Sequence, residues 1–200
     1  MSYAIIGFGK IGQAIATAFA RKNIAVTVAS RRPPEALAQQ AHAIGPTVVA
    51  RSIREALEAD TIILAVPFAE HRAVGKTLAS WDGKTIIDAM NAFPALLEDL
   101  DGLPSSAFVA KSFAGARFVK GFNHLIAATL ASDPVVEGGH RVVFLSSDDE
   151  DSIAPVAALA KQLGFAPVTL GKLNEGGALV HARGRSWGPL IFQDLFKKEQ

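Results

Sequence analysis

The chain of 200 residues contains no cysteine, which removes disulfides, thiolate metal sites and cysteine nucleophiles together. It also has little excess charge. Its 20 Lys and Arg stand against 19 Asp and Glu, for a net charge of +1. No global field therefore draws it to nucleic acid or to an anionic membrane. Any recognition of an anion must be local. No apolar run approaches the roughly 18 to 20 residues that a membrane-spanning helix needs. The opening "MSYAIIGFG" lacks the basic stretch and long apolar core of a secretory signal. Neither nucleic acid nor membrane is expected as a partner, and a cytoplasmic location is expected.

Recognisable catalytic groupings are also missing. His42, His71, His124, His140 and His181 are scattered, with no pair at the short helical spacing of a metal site. The acidic "SSDDEDS" lacks calcium-loop spacing and reads as a strand end followed by an acidic helix start. No serine sits in a nucleophile elbow. No metal and no catalytic side chain are expected.

What is present is a regular alternation of short apolar runs with alanine-rich helical segments. "YAII" reads as a strand and 10–22 as a helix with Ile11, Ile15, Ala18 and Phe19 on one face. "IAVTVAS" is a second strand. "PPEALAQQAHAIG" is a helix with proline at its start and Gly45 at its end. A short strand "TVVA" follows, then a helix at "SIREALEA" in which Ser52 and Glu55 have capping-box spacing. "TIILAVP" is a nearly continuous apolar strand of the kind buried on both faces. "EHRAVGKTLASW" reads as a helix and "KTIIDAMN" as another strand. After a loop over 91–104 come "ARFVKGFN", "HRVVFLSS" and "FAPVTLG", the last two bracketing the helix "DEDSIAPVAALAKQLG". The order implies an α/β fold of Rossmann type. It is a doubly wound, mostly parallel sheet with a short C-terminal extension. One domain is expected over 1–200. Within it, 173–200 packs a short helix and the aromatic "SWGPLIFQDLF" on the body or on a second subunit.

Gly7, Gly9 and Gly12 form G-x-G-x-x-G between a strand and a helix, the context this motif needs to mean dinucleotide binding. Gly7 lets the chain turn sharply, Gly9 lets backbone approach a pyrophosphate, and Gly12 lets helix and sheet sit close. With Phe8, Lys10 and Ile11 they form the candidate phosphate cradle, because free N–H groups at the helix start face the ligand. A purely structural turn is the competing reading. An NAD site usually places Asp or Glu about 20 residues past the glycines. This chain instead has Ser30, Arg31 and Arg32 at the end of the second strand. A hydroxyl and two guanidinium groups suit a 2′-phosphate, so NADP is the expected cofactor. A solvated basic turn is the alternative.

Ligands of open α/β sheets lie beyond the carboxyl ends of the strands. Ala65, Val66, Pro67 and Phe68 end one strand, and Asp88 and Asn91 lie at the end of the next. All six are candidate cofactor contacts. Phe68 could equally fill the core, and for Asp88 a cap or turn role outweighs catalysis.

With "VKGFN" the chain resembles the NADPH-dependent coenzyme F420 reductases, and it is similar to the oxidoreductase domain of the STEAP metalloreductases. The segments carrying the resemblance are the glycine turn, Ser30-Arg31-Arg32, Ala65-Val66-Pro67, Lys120-Gly121-Phe122-Asn123 and "ALAKQLGFAPVTLG". The resemblance implies hydride transfer between NADPH and a flat small-molecule electron acceptor, either F420 or a flavin (FMN or FAD). It also implies a homodimer. It assigns Ser30 and Arg31 to the 2′-phosphate, and the loop with Lys120, Phe122 and Asn123 to the nicotinamide end. Lys120 lies in an apolar strand, where an ammonium is costly unless paired with Asp88 or cofactor oxygens; a reach to solvent is the alternative. Asn123 could read a carboxamide or cap a helix beginning near His124. Arg183, Arg185 and Trp187 could meet an anionic acceptor tail or form a surface or subunit contact. "LNEGGALVHARG" departs from the family pattern, with Ala182-Arg183 displaced. A rival from another class is a non-catalytic NADP(H) sensor.

Overall fold

Alternate residues of the buried strands feed two hydrophobic layers, one on each face of a central sheet. Ile5, Ile63, Ile87, Val119 and Val143 join one cluster, while Ala4, Ile6, Ile62, Leu64, Ile86 and Phe118 join the other. Successive side chains on a strand point to opposite faces, so a run apolar at every position must be covered twice. The computed structural model describes residues 1–96, 98–183 and 186–198.

Along the chain the elements are β1 (Tyr3–Ile6), α1 (Lys10–Arg21), β2 (Val26–Ala29), α2 (Glu35–Ile44), β3 (Val48–Ala50), α3 (Ile53–Ala56) and β4 (Thr61–Leu64). Next come α4 (His71–Gly75), β5 (Thr85–Asp88), α5 (Ser105–Ala110), β6 (Arg117–Gly121), α6 (Ala127–Ala131), β7 (Val135–Val136) and β8 (Gly139–Ser146). The remainder is α7 (Ile153–Gln162), β9 (Ala166–Thr169), α8 (Gly176–Leu179), β10 (Ala182–Arg183), β11 (Ser186–Trp187) and β12 (Phe196–Lys198). The sheet runs β3-β2-β1-β4-β5-β6-β8, parallel from β3 to β6. β8 is antiparallel to β6 and carries β9 alongside it in parallel. This is the doubly wound Rossmann-type order, and its strand order reverses between β1 and β4.

Helices α1, α2 and α7 cover one face through Ile15, Phe19, Leu37, Val156 and Leu159. The other face is covered through Ala56 at α3, Val74 in α4 and Val109 in α5. Ser52 and Glu55 close a reciprocal cap on α3: Ser52 Oγ accepts from the Glu55 N–H at 3.3 Å, and Glu55 Oε2 accepts from the Ser52 N–H at 3.0 Å.

Two expectations need correction. The helix read over "EHRAVGKTLASW" stops at Gly75. Trp81 leaves the helical path, buries its ring against Phe113 at 4.8 Å and donates its Nε1–H to the Gly75 carbonyl. No helix starts near His124: α6 begins at Ala127, after Ile126, so Asn123 caps nothing there. The C-terminal residues 196–198 form a strand, β12, paired antiparallel with the leading end of β8. That end of β8 also pairs antiparallel with β7, and Arg141 steadies the approach of β12 with Nε 3.0 Å from Asp194 Oδ1.

Candidate coenzyme site

Where the strand order reverses, β1 and β4 each end in a turn, and the two turns interlock. Gly7 donates its N–H to the Ala29 carbonyl at 2.8 Å, and Ala65 donates to the Ile6 carbonyl at 2.8 Å. Gly7 has φ +103°, and a β-carbon there would stand 2.3 Å from the Ala65 carbonyl oxygen. At Gly12 a β-carbon would stand 2.0 Å from the Gly7 carbonyl oxygen. Both positions are closed by the protein itself. Gly9 differs, since a β-carbon there meets nothing within 4 Å. Its missing side chain therefore leaves room for something outside the fold.

Gly9 is also the N-cap of α1, with no side-chain cap, and the first intrahelical bond is Gln13 N–H to the Gly9 carbonyl at 2.9 Å. The N–H groups of the first turn, at Lys10, Ile11 and Gly12, are left to face an anion. The helix has 12 residues and no acidic residue in that turn, so its positive end is not neutralised locally.

Gly7, Phe8 and Gly9 line one wall of a cleft of about 520 Å³. Ser30, Arg31 and Arg32 line another, and Ala65, Val66 and Pro67 a third. Nine of the residues expected from sequence are thus brought into one space. Ser30 Oγ accepts the Arg32 N–H at 3.1 Å, which bends the end of β2 back on itself and leaves both guanidinium groups exposed. The Phe8 ring is buried in the core, so this residue can offer a ligand little beyond its backbone.

Glu70, Ile53, Ala73, Val74 and Thr77 also line the cleft, and sequence reading missed them. Ile53 and Val74 follow from the helices that pack beneath. Glu70 closes a short 3-10 turn, Phe68–Glu70, and its Oε1 lies 2.9 Å from Arg31 Nη1. The one available signal was its place three residues past Pro67.

Of the other nine expected residues, Lys10, Ile11 and Gly12 form the first turn of α1, and six lie elsewhere; none of the nine is in this cleft's lining. Phe68 stacks on Phe108 at 6.3 Å and packs at a tilt against His71 at 5.0 Å. Phe122 buries its ring against Phe165 at 6.0 Å. Asp88, Asn91, Lys120 and Asn123 gather at the carboxyl ends of β5 and β6. Lys120 Nζ lies 3.2 Å from Asp88 Oδ2, and it also donates to the Met90 carbonyl. Ser106 Oγ donates to the same carboxylate oxygen at 2.8 Å. Burial pushes the Lys120 pKa down from its ordinary value, while Asp88 pulls it back up. The lysine therefore pairs with Asp88 instead of reaching solvent.

Asn91 and Asn123 form a reciprocal pair: Asn91 Nδ2 donates to the Asn123 carbonyl and Asn123 Nδ2 donates to Asn91 Oδ1, each at 2.9 Å. Asn123 Nδ2 also reaches the Val180 carbonyl at 2.7 Å, tying the segment after α8 to the end of β6. Asn123 Oδ1 is buried without a hydrogen-bond partner, and so is His181 Nε2 nearby. His181 has its pKa pushed down to about 4, chiefly by burial, with Lys120 and Arg183 adding to the effect. Arg183 and Trp187 border a second cleft of about 500 Å³ with His181, whereas Arg185 lies outside the described residues. Among the described residues no group of histidines and carboxylates could hold a metal ion. No helix among them is long and apolar enough to cross a membrane.

Residues 2–92 match the family described as NADP oxidoreductase, coenzyme F420-dependent. Those residues hold the whole glycine cradle, the Ser30-Arg31-Arg32 turn and the end of β4. The chain is 38% identical to a hypothetical protein of Sinorhizobium meliloti, SMa0349, covering 99% of this chain and 96% of that one with a TM-score of 0.90. A protein of Arthrobacter sp. FB24 assigned as an F420-dependent NADP-reductase is 26% identical, with 86% of each chain covered and a TM-score of 0.73. Over residues 2–92, just under half of its length, the chain carries the pattern of the F420-dependent NADP oxidoreductases. Metalloreductase STEAP3 of Rattus norvegicus is 28% identical over 172 residues, which are 84% of this chain and 33% of that protein. The chain thus spans about a third of the length of the metalloreductases it matches.

Proposed function

We propose that this member of an NADP-dependent oxidoreductase family moves hydride between NADPH and a flat, flavin-like acceptor, coenzyme F420 or a flavin (FMN or FAD). The observation that carries the coenzyme half is the open β-carbon position at Gly9, in a cleft whose opposite wall carries Ser30, Arg31 and Arg32. Backbone approach and cationic donors then meet the two phosphate-bearing parts of one ligand. The residues present fit NADP.

In this reading the N–H groups of Lys10, Ile11 and Gly12 donate to the pyrophosphate. Arg31 and Arg32 donate to the 2′-phosphate, where paired, permanently charged donors suit a dianion. Ala65, Val66 and Pro67 form the floor beneath the ribose. Asn123, with its buried Oδ1 unpartnered, offers an acceptor for a carboxamide at the nicotinamide end. Bound NADPH supplies the hydride, and the acceptor receives it directly. The side chains are then asked for positioning and exclusion of water, with no acid–base residue required. The same reading takes the protein as a cytoplasmic homodimer, with the segment 173–200 at the acceptor pocket or the subunit contact.

Stopped-flow mixing of the protein and NADPH with F420, FMN and FAD in turn tests the assignment. At least one acceptor is expected to accelerate NADPH oxidation well beyond the rate without protein. NADPH binding with no acceleration by any of the three would favour a sensor of NADP(H) over an enzyme.

A further inference from the structure

The coenzyme cleft contains a carboxylate among its cations. Arg31 Nη1 and Glu70 Oε1 are 2.9 Å apart, with side chains 78% and 28% exposed. Both residues line the same cleft as Ser30 and Arg32. The two partners are not held equally. The backbone of Glu70 is fixed, because its N–H donates to the Pro67 carbonyl at 2.8 Å and closes the 3-10 turn. The turn is anchored in turn by Phe68, stacked on Phe108, and by His71, whose Nδ1 lies 2.5 Å from the Phe68 carbonyl. Arg31, by contrast, extends from an exposed turn with a long side chain free to reorient.

We propose that Glu70 is a specificity-determining residue that occupies Arg31 and thereby lowers the site's preference for the phosphorylated coenzyme. The inference rests on the reading that Arg31 takes the 2′-phosphate. A dianion entering the cleft must draw Arg31 away from Glu70 and then lie near a fixed negative charge. A ribose with a free 2′-hydroxyl meets neither cost, since a carboxylate accepts a hydroxyl proton readily. Glu70 therefore weakens NADPH binding without weakening NADH binding. An exposed ion pair together with screened repulsion across a few ångströms amounts to about a three- to tenfold change in Kd.

The test is fluorescence titration of NADPH and NADH into the wild type, Glu70→Gln, Arg31→Ala and the double variant, at low and high salt. Glu70→Gln keeps the shape and a hydrogen-bond acceptor while removing the charge. It is expected to tighten NADPH by about three- to tenfold and to change NADH by less than about twofold. The gain should shrink at high salt, and in the Arg31→Ala background, where no guanidinium remains to be released. An NADPH affinity unchanged or weakened in Glu70→Gln, or an equal gain for both coenzymes, overturns the inference. If Arg31→Ala alone lowers NADPH and NADH equally, the 2′-phosphate assignment itself fails and the inference falls with it. A selective loss in Arg31→Ala with no effect of Glu70→Gln removes only the role of Glu70.

Discussion

Lys120 and Asp88 face each other across the pairing of β5 with β6, both 1% exposed, with Nζ 3.2 Å from Oδ2. Removing one partner leaves an uncompensated charge in the interior. Asp88→Ala is expected to lower unfolding free energy by about 3 to 5 kcal/mol, read by urea denaturation. The double variant Asp88→Leu/Lys120→Met, which removes both charges, should lose less than the two single changes added together. A single variant as stable as the wild type would show that the pair is not needed to hold the ends of β5 and β6.

Gly9 and Gly12 separate binding from folding. In Gly9→Ala the new β-carbon meets nothing in the protein, so the melting temperature should stay near that of the wild type while NADPH binding is largely lost. In Gly12→Ala the β-carbon would stand 2.0 Å from the Gly7 carbonyl oxygen, so a stability loss of about 1 to 3 kcal/mol or more is expected. Thermal melts and NADPH titrations on the two variants check this. Tight NADPH binding by Gly9→Ala would place the pyrophosphate elsewhere.

The glycine cradle and the doubly wound order were legible in the sequence because each depends on neighbours along the chain: the strand before Gly7, the helix after Gly12, and apolar runs covered on both faces. The pairing of Asp88 with Lys120 was one of several readings until the register of β5 on β6 placed them side by side. Glu70 was missed because its meaning comes from Arg31, which lies 39 positions earlier and meets it only across the cleft. The helix after Pro67 was read too long because periodicity does not reveal that Trp81 has a better place against Phe113. His181 escaped notice as a site neighbour because the bond between Asn123 and the Val180 carbonyl, which brings its segment over β6, spans 57 positions.

Stability should fall as the solution turns mildly acidic. Burial pushes the pKa of His124 and of His181 down to about 4 from the ordinary imidazole value of 6.5. The unfolded chain therefore takes up protons near pH 6.5 that the folded chain refuses. The stabilising contribution of the neutral rings is complete above that pH, and it is lost as pH falls toward 4. About 1 to 3 kcal/mol for each histidine is at stake. Denaturation measured between pH 7 and 5 should show this decline, and His124→Leu should flatten it. An identical slope in that variant would assign the effect to other groups.

In the proposed reading one coenzyme is held at two places, its pyrophosphate against the backbone at Gly9 and its 2′-phosphate on the guanidinium of Arg31. Isothermal titration of NADPH and NADH into the wild type and Arg31→Ala measures this most directly. NADPH should lose about 1.5 to 3 kcal/mol of binding free energy in the variant while NADH loses little, the scale of a hydrogen bond to a charged group. Equal losses for the two coenzymes, or no binding of either by the folded wild type, would contradict it.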